Sequence, residues 1–188
     1  MAGSTATARR HWDTRTLVTL ALLAAIGVIL SFIEGSPFGN WLKYDASFVP
    51  AAIAGFVFGP SAGAAVGAVT AVIHGLVMGN FWGALMNLVG VIFFVVPAAA
   101  IYRKMASRAG GAIGLLVGAV LTIVVMLLLN IVVTPLYTPS VTAAQVVQMI
   151  VPILLPFNVF KAVVNSIIVF ILYGSVEKMA QRGAKKKA

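Results

Sequence analysis

The sequence predicts an all-α, polytopic membrane protein with six transmembrane helices and both termini in the cytoplasm. Three observations lead there. Of its 188 residues 61% are apolar and 9% charged, whereas a water-soluble domain carries about a quarter charged residues. Its mean hydropathy is +1.07, so the bilayer is the natural solvent for this chain. Finally, the 13 Lys and Arg are not spread evenly. Arg9, Arg10 and Arg15 precede the first apolar run, Arg103, Lys104 and Arg108 interrupt the middle, and Lys178, Arg182, Lys185, Lys186 and Lys187 form the tail.

Basic clusters beside membrane spans stay in the cytoplasm, so parity gives the number of crossings. Residues 16–33 are uncharged and long enough to cross once at ~1.5 Å per residue. Glu34, Lys43 and Asp45 then mark an outer connection of mixed charge. No Asp, Glu, Lys or Arg occurs from Ala46 to Tyr102, and the chain must return inside. That requires three crossings, broken at Gly59-Pro60 and Gly79-Asn80. The first of them, over 46–59, is short for a full crossing and is expected to tilt or to sit in a thinned region. Ala109 to Phe160 is again uncharged and crosses twice more, with an outer connection over 134–151 rich in Pro, Thr and Gln. The expected organisation is a cytoplasmic tail over 1–15, a membrane bundle over 16–176 and a basic cytoplasmic tail over 177–188. The first apolar run follows a pair of arginines, but no convincing small-x-small cleavage site follows it, so a retained helix is expected rather than a removed signal.

Composition also narrows the chemistry. With no cysteine there is neither a disulfide framework nor a thiolate metal site. Two His and four acidic residues are thin material for a metal cage or a catalytic dyad, and His74 with Glu34 or Asp45 does not make one. The chain is not read as an enzyme, and no metal or cofactor is expected. The net charge of +9 sits beside apolar spans, where lipid headgroups rather than nucleic acid are the natural partners.

Small residues recur every fourth position at Gly55 and Gly59, and again at Gly63, Gly67, Ala71 and Gly75. Pro60 separates the two sets, which read as facing helices in close approach. Gly110, Gly114 and Gly118 give the fifth span a similar face. Ala21 and Ala25 do so for the first, either for internal packing or for docking on another membrane subunit. Trp41, Trp82, Tyr44 and Tyr137 fall near the outer surface and fit an aromatic belt. His74 reads as interfacial, Asp45 as the N-cap of the second helix, and Glu34 as a solvated loop acid.

One pattern asks for more than packing. In Pro156-Phe157-Asn158-Val159-Phe160-Lys161 a lysine stands inside an apolar span, a placement that costs roughly 2.5–3.5 kcal/mol. Asn158, Lys161 and Asn165 are spaced i, i+3 and i+7 and share one helix face. Lys161 alone could snorkel outward with Asn158 capping the helix, but that leaves the alignment with Asn165 unexplained. A lined cavity is the better reading. Asn130 and Asn87 add amides at membrane depth. Carboxamides that both donate and accept, with one ammonium, suit a planar heterocycle carrying an imide-like edge.

The residues that carry a family resemblance lie in the same regions. Lys43-Tyr44-Asp45-Ala46-Ser47-Phe48-Val49-Pro50, running into Gly55-Phe56-Val57-Phe58-Gly59-Pro60-Ser61-Ala62-Gly63, resembles the second-helix region of the S components of energy-coupling-factor (ECF) vitamin transporters. Leu129-Asn130, Thr134-Pro135-Leu136-Tyr137 and Pro156-Phe157-Asn158-x-x-Lys161 are similar to the riboflavin-binding members. The resemblance covers roughly residues 16–173 and departs from the family in the loop over 35–41. It implies a riboflavin-binding subunit of an ATP-driven uptake system in a bacterial cell membrane, with the flavin held at Asn130, Asn158, Lys161 and Asn87. Asn165, Tyr44 and Asp45 are further expected ligand contacts. Ala21 and Ala25 match the face by which S components dock on a transmembrane coupling subunit that carries two ATPases. The chain itself has no G-x-x-x-x-G-K-[ST] loop. The rivals are an S component for another vitamin or base-like metabolite and a stand-alone carrier.

Overall fold

The structure, a computed structural model, describes residues 12–38 and 42–185. Arg9, Arg10, Trp41, Lys186 and Lys187 lie outside the described residues, as do the side chains of Lys178, Arg182 and Lys185, and with them the expectations placed on those groups. Among the described residues the fold is all-helical, with a single isolated antiparallel bridge between Gly35 and Tyr44.

Helix α1 (Thr14–Ser31) starts at Asp13, whose carboxylate accepts the Thr16 N–H at 3.0 Å. Leu20, Ala24, Gly27 and Ser31 are its buried face. At Gly27 a Cβ would fall 2.5 Å from the Thr70 hydroxyl oxygen, so glycine is what lets α3 come this close. Ala21 and Ala25 point away from this contact and are exposed.

Helix α2 (Phe48–Phe58) and helix α3 (Pro60–Met78) are joined by Gly59 alone. Gly59 has φ +107°, a conformation that side chains resist, and Pro60 at the first position of α3 supplies a pre-set helical φ. The hairpin so formed is tight. A Cβ on Gly63 would lie 2.8 Å from both the Gly55 Cα and the Ala51 carbonyl oxygen, so the facing of the two glycine sets anticipated from their spacing is present.

Helix α4 (Phe81–Met105) is capped by Asn80, which takes the Gly83 N–H at 2.8 Å. Helix α5 (Arg108–Tyr137) is capped by Ser107, which takes the Gly110 N–H at 3.1 Å. The two run side by side, with Gly114 against the Ala98 carbonyl and Gly118 against that of Phe94.

The outer connection anticipated over 134–151 is mostly helical instead. Helix α5 continues to Tyr137 with Pro135 inside its last turn, and α6 (Ala143–Met149) starts at Thr142. The cause is a capping box: Thr142 takes the Gln145 N–H while the Gln145 side chain accepts the Thr142 N–H. Pro and Thr read as loop formers in sequence, yet here one closes a helix and the other opens one. A π-helical turn, Ile150–Leu154, follows around Pro152, where the missing proline N–H interrupts the α ladder. Helix α7 (Leu155–Lys185) completes the fold.

Helices α1, α3, α4, α5 and the continuous segment Ala143–Leu172 are long and apolar enough to cross a membrane. At 11 residues α2 is shorter, about 16 Å against a hydrocarbon core of about 30 Å. It is also deeply buried, with Ala51, Ala52 and Ala54 fully enclosed. A second apolar cluster joins Leu42, Val146, Leu154 and Phe157 with Phe38 and Tyr44. It fastens the α1–α2 connection to α6 and α7.

Candidate functional site

The end of the bundle where these elements converge encloses a cavity of about 220 Å³. Trp82, Met86, Asn87, Gly90 and Phe94 of α4 form one wall; Thr122, Met126, Asn130 and Tyr137 of α5 form another. Phe157, Asn158 and Lys161 come from α7, Phe48 from α2 and His74 from α3, and the α1–α2 connection brings Glu34, Leu42, Lys43 and Asp45. Aromatic and thioether side chains supply apolar faces, with charged, amide and hydroxyl groups set among them, a lining suited to a small molecule that is apolar on its faces and polar at its edge.

Lys161 reaches the cavity from the second turn of α7. Its ammonium donates to Asp45 Oδ2 at 3.2 Å and to Asn87 Oδ1 at 3.2 Å, and stands 4.8 Å from the centre of the Phe48 ring. Asp45 is buried, and its other oxygen accepts the Ser47 backbone N–H at 2.9 Å. Burial pushes the Asp45 carboxyl pKa up, but the Lys161 charge and the Ser47 donors outweigh it and hold the group below the usual carboxylate range. Tyr44, beside it, titrates above the ordinary phenol value because of burial and then the Asp45 charge. The expectation that Asp45 caps α2 is therefore corrected. Ser47 occupies the N-cap position, and Asp45 turns inward because the lysine needs a counter-charge.

Two asparagines of the site, Asn130 and Asn158, are anchored to the backbone one turn before them. Asn130 donates to the Met126 carbonyl at 2.7 Å and accepts from the Thr134 hydroxyl at 3.2 Å, and Asn158 donates to the Leu154 carbonyl at 2.8 Å. A flipped amide would set oxygen against the carbonyl oxygen, so these bonds fix which end faces the cavity. Asn158 keeps its oxygen and one N–H for a ligand, and Asn130 keeps one N–H. Such a set can address N–H and C=O groups together along one edge of a planar ring.

The remaining expected contacts separate. Asp45 and Asn87 line the cavity with Asn130, Asn158 and Lys161, whereas Tyr44 and Asn165 do not. Tyr44 packs edge-on against Phe160, 5.4 Å between centroids. Asn165 is fully buried a turn deeper on α7, its amide donating to the Lys161 carbonyl at 2.8 Å. Its stripe position is as expected, but the cavity ends at Ala162, before reaching it. Trp82 and Tyr137, read as belt residues, line the cavity too.

Glu34 is not merely a solvated loop acid: it pairs with Lys43 and lies 3.4 Å from Nε2 of His74, which is buried near the end of α3. That His74 nitrogen makes no hydrogen bond among the described residues. No group of three or more His, Cys, Asp and Glu capable of holding a metal occurs among the described residues.

Sequence reasoning missed the Asp45–Lys161 pair and the contributions of Phe48, Met86, Thr122 and Met126. For the pair a signal existed. The sequence has four acidic residues, and only Asp45 stands directly before an apolar span whose other charges are absent.

Comparison with known proteins gives a consistent result. The family model "ECF transporter, substrate-specific component" matches residues 15–173. The riboflavin transporter RibU of Staphylococcus aureus is 32% identical over 176 residues, covering 89% of this chain and 93% of that one. The riboflavin transporter FmnP of Bacillus subtilis is 33% identical over 112 residues, where the match spans 55% of this chain and 58% of the relative. A solved structure of the S component of a bacterial ECF transporter superposes with a TM-score of 0.76 at 30% identity, over 89% of this chain and 98% of the other. A match over nearly the whole chain, from sequence and from backbone alike, makes this protein a member of the ECF transporter substrate-specific component family.

Proposed function

We propose that the chain is the riboflavin-binding subunit of an ECF uptake transporter, and that the cavity described above receives the flavin. The observation that carries this reading is the placement of Asn130, Asn158 and Lys161 around one cavity, within a fold whose relatives include two riboflavin transporters. The amide of Asn158 and the second N–H of Asn130 address the imide edge of the isoalloxazine ring. The third N–H of Lys161, left over from Asp45 and Asn87, meets a ring carbonyl or nitrogen. Phe48, Phe94, Met86, Met126 and Trp82 cover the ring faces. Riboflavin is cargo here, not a cofactor, and no bond is made or broken in it.

The membrane arrangement belongs to the same proposal. With α2 taken as a short, enclosed crossing, the helices give six passages, and the basic groups Arg15, Arg103, Lys104 and Arg108 then share the cytoplasmic side. The cavity opens on the opposite, outer side of a bacterial cytoplasmic membrane. The exposed pair Ala21 and Ala25 offers a small-residue face on α1 for a transmembrane coupling subunit, which would carry two ATP-hydrolysing subunits.

The test is direct. Protein purified from flavin-containing cells is expected to carry a yellow, flavin-absorbing ligand and, once stripped of it, to bind riboflavin by fluorescence quenching. A protein that folds normally, purifies colourless and leaves riboflavin fluorescence unchanged would overturn the reading. Uptake that requires a coupling subunit and ATPases separates it from a stand-alone carrier.

A further inference from the structure

The charges on the cavity wall are matched one to one. Lys161 is held by Asp45 at 3.2 Å and Lys43 by Glu34, so the described lining carries two carboxylates and two ammonium groups. The other place where an anion would settle is the start of α4, whose first N–H groups lie at the cavity. Two of those groups are already taken: the Gly83 N–H goes to the Asn80 side chain at 2.8 Å and the Ala84 N–H to the Asn80 carbonyl at 3.0 Å. Among the described residues no arginine lines the cavity to offer the two-pronged grip that phosphate favours.

We infer that Glu34 and Asp45 are specificity-determining residues which, by neutralising Lys43 and Lys161, make this cavity select neutral ligands over anionic analogues of the same ring. The inference rests on the proposed flavin reading. An incoming anion must leave water, and it recovers that loss only from cations that are free to turn to it. Here each cation already has a carboxylate, and the carboxylates themselves repel the newcomer. A phosphate monoester brings about −1.5 to −2 charges at neutral pH and meets this wall directly. A neutral ring with hydroxyls meets only dipoles and satisfied ion pairs. Binding energy is thereby kept for hydrogen bonding and stacking, and discrimination comes from what the wall withholds.

The experiment compares riboflavin with riboflavin 5′-phosphate on the purified full chain, by equilibrium fluorescence quenching at one ionic strength. The wild type is expected to bind the phosphate at least tenfold more weakly than riboflavin. Glu34→Gln frees Lys43 and Asp45→Asn frees Lys161, and at least one of them is expected to narrow that ratio tenfold or more. The charge-restored partners, Glu34→Gln with Lys43→Gln and Asp45→Asn with Lys161→Gln, are expected to widen it again. Since the ratio is read within each variant, a loss of overall affinity does not disturb it, and if one variant fails to fold the other still decides. Equal affinities in the wild type, or a ratio unmoved by both substitutions, would overturn the inference while leaving the flavin reading intact. Absence of any riboflavin binding by the wild type would instead sink the flavin reading.

Discussion

Lys161 and Asp45 are 116 residues apart in the chain and 3.2 Å apart in the fold. The contact joins the second turn of α7 to the connection between α1 and α2, and both side chains are largely enclosed. Such a pair is better understood as mutual compensation than as a source of net stability.

Removing one partner is therefore costly in a specific way. Lys161→Met leaves a buried carboxylate without its cation, and a loss of about 3–5 kcal/mol in stability is expected. Lys161→Met combined with Asp45→Asn should regain most of it without regaining riboflavin affinity. Thermal melts and binding isotherms on the three proteins check this. If the double variant binds like the wild type, Lys161 does not contact the ligand.

The asparagines divide by position. Asn158→Ala is expected to weaken riboflavin binding by about 5- to 150-fold, the equivalent of one or two lost hydrogen bonds at about 1–3 kcal/mol. Asn165→Ala should leave the dissociation constant within about twofold, and melting should register the change instead, because Asn165 bonds Lys161's carbonyl away from the cavity. Parallel titration of the two variants decides whether the polar stripe is one surface or two.

Glycine spacing yields a packing test. A methyl at Gly63 would meet the Gly55 Cα and the Ala51 oxygen at 2.8 Å, so Gly63→Ala is expected to destabilise by about 1–3 kcal/mol. Gly35→Ala meets nothing within 4 Å and should stay within about 0.5 kcal/mol of the wild type. Melting temperatures in one detergent compare them.

Acid sensitivity follows from the direction of the Asp45 shift. The folded-state pKa lies below the ordinary carboxylate value, so the unfolded chain takes up the proton first as pH falls. The pair's contribution is complete above the usual value of about 4 and is lost below it, toward the lower folded-state value. The melting-temperature gap between the wild type and Asp45→Asn is expected to be constant from about pH 5 to 8 and to close in stronger acid. A gap that closes already between pH 7 and 6 would contradict the assignment.

Much of this was legible in the sequence because the membrane simplifies the grammar. Breaks at Gly59-Pro60 and Gly79-Asn80 are read from residues that cannot continue a helix, and both stand where expected. The stripe on α7 was visible because a lysine in hydrocarbon has so few harmless explanations. What could not be read is what depends on distance in space. Asp45 looks like a cap when only its neighbours are considered, and becomes a counter-ion only once α7 is beside it. Likewise Thr142 and Gln145 hide a helix start inside a stretch whose composition suggests a loop. Asn165 shares a face with Lys161 by periodicity, but no periodicity tells where a cavity ends.

The self-anchored amides of Asn130, Asn158 and Asn165 bear on how the protein is made. Each ties part of its polarity to a carbonyl of its own helix, so each of those helices can enter the bilayer with part of its hydrogen bonding already met. Lys161 has no such local shelter and needs a group from elsewhere in the chain. Asp45 is synthesised long before it, so when α7 leaves the ribosome the lysine finds its counter-charge already waiting.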